Sequence, residues 1–287
     1  MVINELLKIG VDELKDIEFA HPQLEARLIL SKLLNKDKSY IYAYGDKEIS
    51  NEIKDKYFEI LKLRSQGHPF QYIVKEKEFM GLDFYVEEGV LIPRPDTEIL
   101  VEYVIEYVKQ RYNNKSIRGL ELGIGSGAIS LSVANYCSNA YIYGVDIEDA
   151  PIKVSNINKE KFNLSNVSFL KGDMFEALKG LNLENSFDVI MSNPPYIPSK
   201  EIEKLQIEVK TYEPRIALDG GEDGLKFYRI ISSEAGNYLV EGGLLIYEIG
   251  YNQGLAVKEI LLSNGYKDIQ ILKDLQGHDR VVLGLYH

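Results

Sequence analysis

Apolar residues recur at helical spacing over the first 70 positions and then shift toward short continuous runs, so the chain changes architecture partway along. Ile3, Leu6 and Leu7 open one amphipathic helix. Leu24, Leu28 and Leu34 mark a second, with Pro22 near its first turn, where a missing N–H costs nothing. A third begins after Ser50, a good capping residue, runs through Ile53, Tyr57, Ile60 and Leu61, and stops at Gly67 with Pro69 beyond. This predicts a helical bundle over residues 1–70. Residues 71–92 differ: EFMGLDFYV reads as two short strands around Gly81, a hairpin linking two domains.

Pro93-Arg94-Pro95 punctuates the chain, and Asp96 is placed to cap a helix carrying Leu100, Val101, Val104, Ile105 and Val108 on one face. From there strand-like and helix-like segments alternate. The strand candidates are SIRGLELG, NAYIYGVDI, VSFLKGD, FDVIMSN, GGLLIYEIG, DIQILKD and RVVLGLY. Helical stretches between most of them imply a doubly wound α/β domain over 93–287, with a parallel sheet covered on both faces. Only LQGHD separates the last two, so they are expected to pair as a hairpin and make one strand antiparallel.

Charge narrows the function classes. The formal net charge is −11, and residues 1–75 carry twelve basic and twelve acidic side chains, so the deficit lies in 76–287. Phosphate backbones are gripped by Lys and Arg, which makes a nucleic-acid substrate unexpected. The single cysteine, Cys137, excludes an intrachain disulfide and suits a reducing cytoplasm. No apolar run is long enough to suggest a membrane span. The histidines at 21, 68, 278 and 287 are scattered without ligand spacing, so no metal is expected.

Two stretches carry candidate chemistry. In Glu121-Leu-Gly123-Ile124-Gly125-Ser126-Gly127 a strand ends in a glycine-rich turn that opens a helix, bringing a ligand against the main chain. Asp146 ends the next strand about 20 residues on, where a carboxylate can accept both ribose hydroxyls. The spacing is G-x-G-x-G after an acid, unlike the dinucleotide fingerprint, and favours S-adenosylmethionine, which has no pyrophosphate to bind. Glu121 would face the cofactor's ammonium group or satisfy loop amides. Met174 and Phe175, after the third strand, would pack on the adenine or belong to the core.

Ser192-Asn193-Pro194-Pro195-Tyr196 follows the strand FDVIM. An amide or exocyclic amine nitrogen is a poor nucleophile because its lone pair is delocalised. Two acceptors on its N–H bonds would orient it and favour charge leaving the nitrogen; the Asn193 side-chain carbonyl and the Pro194 backbone carbonyl are candidates. Pro195 helps fix the turn, and Tyr196 can stack on the planar acceptor group.

These residues resemble the amino-methyltransferases that modify planar nitrogens. Leu91-Ile-Pro-Arg-Pro-Asp-Thr-Glu98, Tyr212-Glu-Pro-Arg215, Ala217-Leu-Asp-Gly-Gly221, Asp223-Gly-Leu225 and Asp279-Arg-Val281 are similar to the HemK/PrmC-type release-factor glutamine methyltransferases over essentially the whole chain. The resemblance implies a class I S-adenosylmethionine methyltransferase fold of seven strands behind a helical bundle. It also implies N(5)-methylation of the glutamine in the Gly-Gly-Gln tip of class I release factors, with the bundle helping to hold the factor. Gly123 to Gly127, Asp146 and Asn193 match cofactor positions, and Asn193 to Tyr196 match the glutamine-binding motif. The family often has an aromatic residue where Met174 stands. An adenine-N6 methyltransferase, a ribosomal-protein glutamine methyltransferase and a non-catalytic scaffold are the competing readings.

Overall fold

A computed structural model describes residues 1–18, 20–113 and 115–287, which fold as two compact units. The first comprises Met1–Glu76 with Gln206–Tyr212, and the second Lys77–Leu205 with Glu213–His287.

The first unit contains α1 (Ile3–Leu14), α2 (Pro22–Leu34), α3 (Lys38–Ala43), α4 (Asn51–Ser65), α5 (Phe70–Val74) and, far along the chain, α9 (Ile207–Tyr212). Its core is built by Ile3, Leu6, Leu14, Ala26, Ile29, Leu30, Ile41, Tyr57 and Leu61. Ser50 caps α4 by accepting the Ile53 amide at 3.4 Å. Gly67, at φ +90, ends that helix as expected. The buried stripe of α2 differs from the expectation: Leu24 is exposed, whereas Ala26, Ile29 and Leu30 face inward. In a helix so rich in leucine several stripes are apolar, and only tertiary packing chooses between them. Arg64 is fully buried and pairs with Glu25 at 2.7 Å and with Glu208 at 2.6 Å. Those two carboxylates offset the desolvation of a guanidinium that water cannot reach.

The second unit opens with β1 (Lys77–Phe79) and β2 (Leu82–Phe84), an antiparallel hairpin. Its Phe79 and Phe84 are buried in this unit's own core beside Leu100 and Val104. The hairpin therefore belongs to the second unit, and the division falls after Glu76 instead of at residue 70. The remaining elements are α6 (Glu98–Tyr112), β3 (Ile117–Leu122), α7 (Ala128–Tyr136), β4 (Ala140–Asp146), α8 (Asp149–Lys161), β5 (Val167–Lys171), β6 (Phe187–Ser192), α10 (Lys226–Ala235), β7 (Leu239–Glu248), α11 (Gly254–Ser263), β8 (Lys267–Lys273) and β9 (Asp279–Leu285).

The sheet order is β5-β4-β3-β6-β7-β9-β8, parallel except for β9, which inserts antiparallel between β7 and β8. Alternate residues of the central strands feed two cores. Val189, Met191, Leu244, Ile246, Val281 and Leu283 pack with α6 and α7. Ile190, Leu245, Tyr247 and Val282 pack with α10 and α11 on the other face. Apolar residues at both phases of the pleat are what a sheet covered on both sides requires. On α6 the expected face is the observed one: Leu100, Val101, Val104, Ile105 and Val108 are buried. Asp96 does not cap it; a 3₁₀ turn, Pro95–Thr97, intervenes, and the Asp96 carboxylate pairs with Arg280 at 3.3 Å. Among the described residues no helix is long and apolar enough to cross a membrane.

Candidate active site

Chain order reverses direction across the sheet between β3 and β6, since β3 leads outward to β4 on one side and β6 to β7 on the other. Open α/β sheets bind ligands at the carboxyl ends of strands at such a switch. Glu121 lies level with Met191 across the pair, so the glycine loop and the Asn193 loop leave the sheet side by side. The Ser192 hydroxyl fastens them by donating to the Leu122 carbonyl at 2.7 Å. A cavity of about 610 Å³ opens above both, lined by Glu121, Gly123 to Ser126, Asp146, Met174, Asn193, Pro194 and Pro195.

The glycines of the first loop are required by its backbone. Gly123, Gly125 and Gly127 have φ of +78°, +53° and +80°, a region that side chains disfavour. A Cβ on Gly123 or Gly125 would meet nothing within 4 Å, so both edges face open space; one on Gly127 would strike Leu131 at 2.9 Å. Ile124 is buried, and the Ser126 carbonyl accepts the Asn158 side-chain amide at 2.9 Å. Asp146 accepts the Gly125 amide at 3.2 Å and the Glu148 amide at 3.1 Å, one on each oxygen. Burial raises its pKa, and those backbone amides pull it back down. A carboxylate offers about four lone-pair sites in all, so it has capacity for a further donor.

Glu121 is fully buried, and its Oε2 accepts both the amide (2.8 Å) and the hydroxyl of Ser130 at the start of α7. Burial pushes its pKa up to about 8, the Ser130 bonds acting against that shift and Asp146 adding to it. Met174 lines the cavity with a left-handed backbone, φ +41. Phe175 lies in the core, stacked on Tyr238 with ring centroids 4.9 Å apart.

In the second loop Asn193 donates its side-chain amide to the Thr97 hydroxyl at 3.3 Å. Thr97 donates in turn to Glu248 Oε2, and the Tyr196 hydroxyl donates to Glu248 Oε1 at 3.3 Å. Tyr196, expected to stack on the planar acceptor group, does not line the cavity: its side chain packs toward the α10–α11 core. Burial pushes Glu248 up to about 7, against the pull of Thr97, Arg280 and Tyr196, with Asp96 reinforcing the shift.

The segment after the loop explains the Leu218–Leu225 glycines. The Ile197 amide donates to the Leu218 carbonyl at 3.0 Å, and the Gly220 amide to the Ile197 carbonyl at 2.9 Å. A Cβ on Gly220 would sit 2.8 Å from both the Pro195 carbonyl and the Tyr196 Cα. Gln253 closes the assembly: its amide nitrogen donates to the Tyr196 carbonyl (3.0 Å) and the Gly224 carbonyl (3.2 Å), while its oxygen accepts the Gly250 amide (2.9 Å). Arg94 pairs with the buried Glu213, which also accepts the Ile92 amide at 3.3 Å, joining the Pro-Arg-Pro turn to Tyr-Glu-Pro-Arg.

Glu248 and Gln253 carried no expectation from sequence, and Thr97 entered only as a letter of a motif. An acid closing the apolar strand GGLLIYE was a usable signal for Glu248, because a charged residue in a buried strand needs a reason. Gln253 offered none.

Comparisons with known proteins give the family. A family described as "PrmC N-terminal domain" matches residues 5–74, and one described as "Methyltransferase domain" matches 113–249. A release factor glutamine methyltransferase of Clostridium botulinum is 43% identical, covering 98% of both chains. One of Clostridium acetobutylicum is 42% identical over 99% of both. The hMettl16 catalytic domain, solved in complex with MAT2A 3'UTR hairpin 1, has a TM-score of 0.55 at 16% identity, covering 83% of this chain and 82% of that one; it shares the fold. With relatives this similar along its full length, and a glycine loop, a strand-end aspartate and an Asn-Pro-Pro-Tyr turn around one cavity, the chain belongs to the release factor glutamine methyltransferase family.

Proposed function

We propose that the protein moves the methyl group of S-adenosylmethionine to the side-chain amide nitrogen of the glutamine in the Gly-Gly-Gln motif of class I release factors. One observation carries the chemistry. Asn193 commits its amide N–H to Thr97, and among the described residues no protein group donates to its Oδ1 or to the Pro194 carbonyl. Two acceptors at the cavity wall suit a planar –NH₂ group, whose two N–H bonds they can hold. Positive charge developing on that nitrogen is then stabilised by dipoles already in place, and orientation supplies much of the rate.

The cavity fits the cofactor. Gly123 and Gly125 leave a main-chain edge that a Cβ would fill, Asp146 ends its strand as a ribose acceptor, and Glu121 is a buried acid whose ionised form a nearby ammonium would restore. Ile124, Ser126 and Met174 complete that wall, and Gly127, which does not line the cavity, packs against Leu131 and Ser155 and holds the turn behind it. When bound, S-adenosylmethionine supplies an electrophilic methyl group on its sulfonium. Asn193 and Pro194 orient the acceptor toward it, Pro195 keeps the turn, and Tyr196 braces the loop from behind through Glu248. The helical unit is assigned a share in holding the release factor, and this partner puts the protein in the cytoplasm.

The test is incubation with labelled S-adenosylmethionine and, separately, a release factor, a ribosomal protein and DNA, reading the mass of each. One added methyl group on the release factor alone supports the proposal. Transfer to adenine or to the ribosomal protein alone contradicts it.

A further inference from the structure

A side-chain amide presents nearly the same shape with its oxygen and nitrogen exchanged, so shape alone does not keep the Asn193 oxygen toward the cavity. Its neighbour Thr97 does not decide the matter alone, because a hydroxyl can donate or accept. What removes the choice is Glu248. Its Oε2 takes the Thr97 proton, which leaves the Thr97 oxygen as an acceptor, and an acceptor can face only the –NH₂ end of Asn193. The other carboxylate oxygen takes the Tyr196 proton at 3.3 Å.

We propose that Glu248 is a positioning residue for methyl transfer: as a carboxylate it fixes, through Thr97, which end of the Asn193 amide meets the acceptor nitrogen, and it holds Tyr196 in the same stroke. The inference rests on the reading of Asn193 as the grip on that nitrogen. Glu248 itself is fully buried and does not line the cavity, so it acts only through its neighbours. Protonation removes that constraint. A protonated Glu248 is itself a donor, Thr97 regains a free proton, and a flipped Asn193, presenting N–H groups where acceptors are needed, is no longer opposed. The charged and titratable groups around it are Arg280 on β9, Asp96 in the 3₁₀ turn, Tyr196 in its loop and Tyr228 on α10, whose hydroxyl donates to the Glu248 backbone carbonyl at 2.9 Å. With the carboxyl pushed up to about 7, the ordered arrangement is lost as pH falls through neutrality.

Two readouts on the full chain test this. The first is the kcat pH profile with release factor at saturating S-adenosylmethionine, beside cofactor Kd by calorimetry, for wild type, Glu248→Gln, Thr97→Ser and Thr97→Val. Glu248→Gln and Thr97→Val are expected to lower kcat about 10- to 100-fold, the cost of a misplaced catalytic group, with Kd changed less than about twofold. Glu248→Gln also loses the inflection near 7, and Thr97→Ser keeps wild-type behaviour. The second readout needs no turnover: the Asn193 side-chain amide resonances, identified by their loss in Asn193→Ala, should titrate with a midpoint near 7 in wild type and be flat in Glu248→Gln. If wild type methylates no release factor, the function proposed above fails while the resonances still decide this inference. Should Glu248→Gln not fold, the Thr97 pair and the wild-type titration decide it. Wild-type kcat and pH profile in Glu248→Gln, equal loss in Thr97→Ser and Thr97→Val, or Asn193 resonances that do not titrate in wild type would overturn it.

Discussion

Gln253 donates to the backbone carbonyl of Tyr196 at 3.0 Å, so a residue outside every recognisable motif holds the last residue of the Asn-Pro-Pro-Tyr turn. All its polar atoms are used, on Tyr196, Gly224, Gly250 and Tyr228. Gln253→Leu keeps the volume but leaves buried carbonyls unpaired, at a cost of about 1–3 kcal/mol each. Thermal unfolding should drop by several degrees, with kcat reduced more than cofactor affinity.

Gly220 tests the same packing from the other side. Gly220→Ala would drive a methyl group to 2.8 Å from Pro195 and Tyr196. The turn must then move, and a shift of the order of 1 Å at a positioned group costs about 100-fold in rate. Single-turnover kinetics should register that loss, while Gly180→Ala, with nothing within 4 Å, should leave the rate unchanged and cost only the strain of its φ of +81.

Asn193→Ala removes one of the two acceptors proposed to hold the substrate amide. Loss of one such group costs about 100- to 1,000-fold in kcat. Calorimetry should find S-adenosylmethionine binding little altered. Equal losses in both quantities would mean that Asn193 serves the cofactor instead of the acceptor.

Asp146→Ala is expected to do the opposite. A hydrogen bond to a charged group contributes about 1.5–3 kcal/mol, so cofactor Kd should rise at least tenfold. At saturating cofactor kcat should be nearly preserved.

Stability should fall as pH rises from 5 to 9. Glu121 and Glu248 titrate at about 8 and about 7 in the folded protein, above the ordinary 4.5, so the folded state binds more protons than the unfolded one across that window. Their contribution is fully present below about 4.5 and is lost as pH passes through 7 and 8. A series of melting curves should show the decline, and Glu121→Gln should flatten its upper part.

Much of this was legible in the sequence, for physical reasons that differ by region. All seven sheet strands and the buried face of α6 follow from periodicity, because a doubly covered sheet needs continuous apolar runs and a helix needs a stripe. The glycine loop and the Asn193 turn were legible because their chemistry is local. The buried stripe of α2 was not, since its leucines offer more than one face. α5, the start of the second unit at Lys77 and the membership of Gln206–Tyr212 in the first unit are set by long-range packing that spacing does not encode. The Asn193–Thr97–Glu248 relay spans 96 and 151 residues, beyond any pattern of neighbours. Where the Tyr196 side chain points was not legible, because its hydroxyl finds a partner at the end of β7.

Tandem mass spectrometry of a release factor, after incubation with the wild-type protein and S-adenosylmethionine, would locate the transferred methyl group. One methyl group is expected on the side-chain nitrogen of the Gly-Gly-Gln glutamine, absent with Asn193→Ala and absent when that glutamine is replaced by alanine. A methyl group on any other residue, or an unmodified glutamine with cofactor bound, would contradict the proposed function.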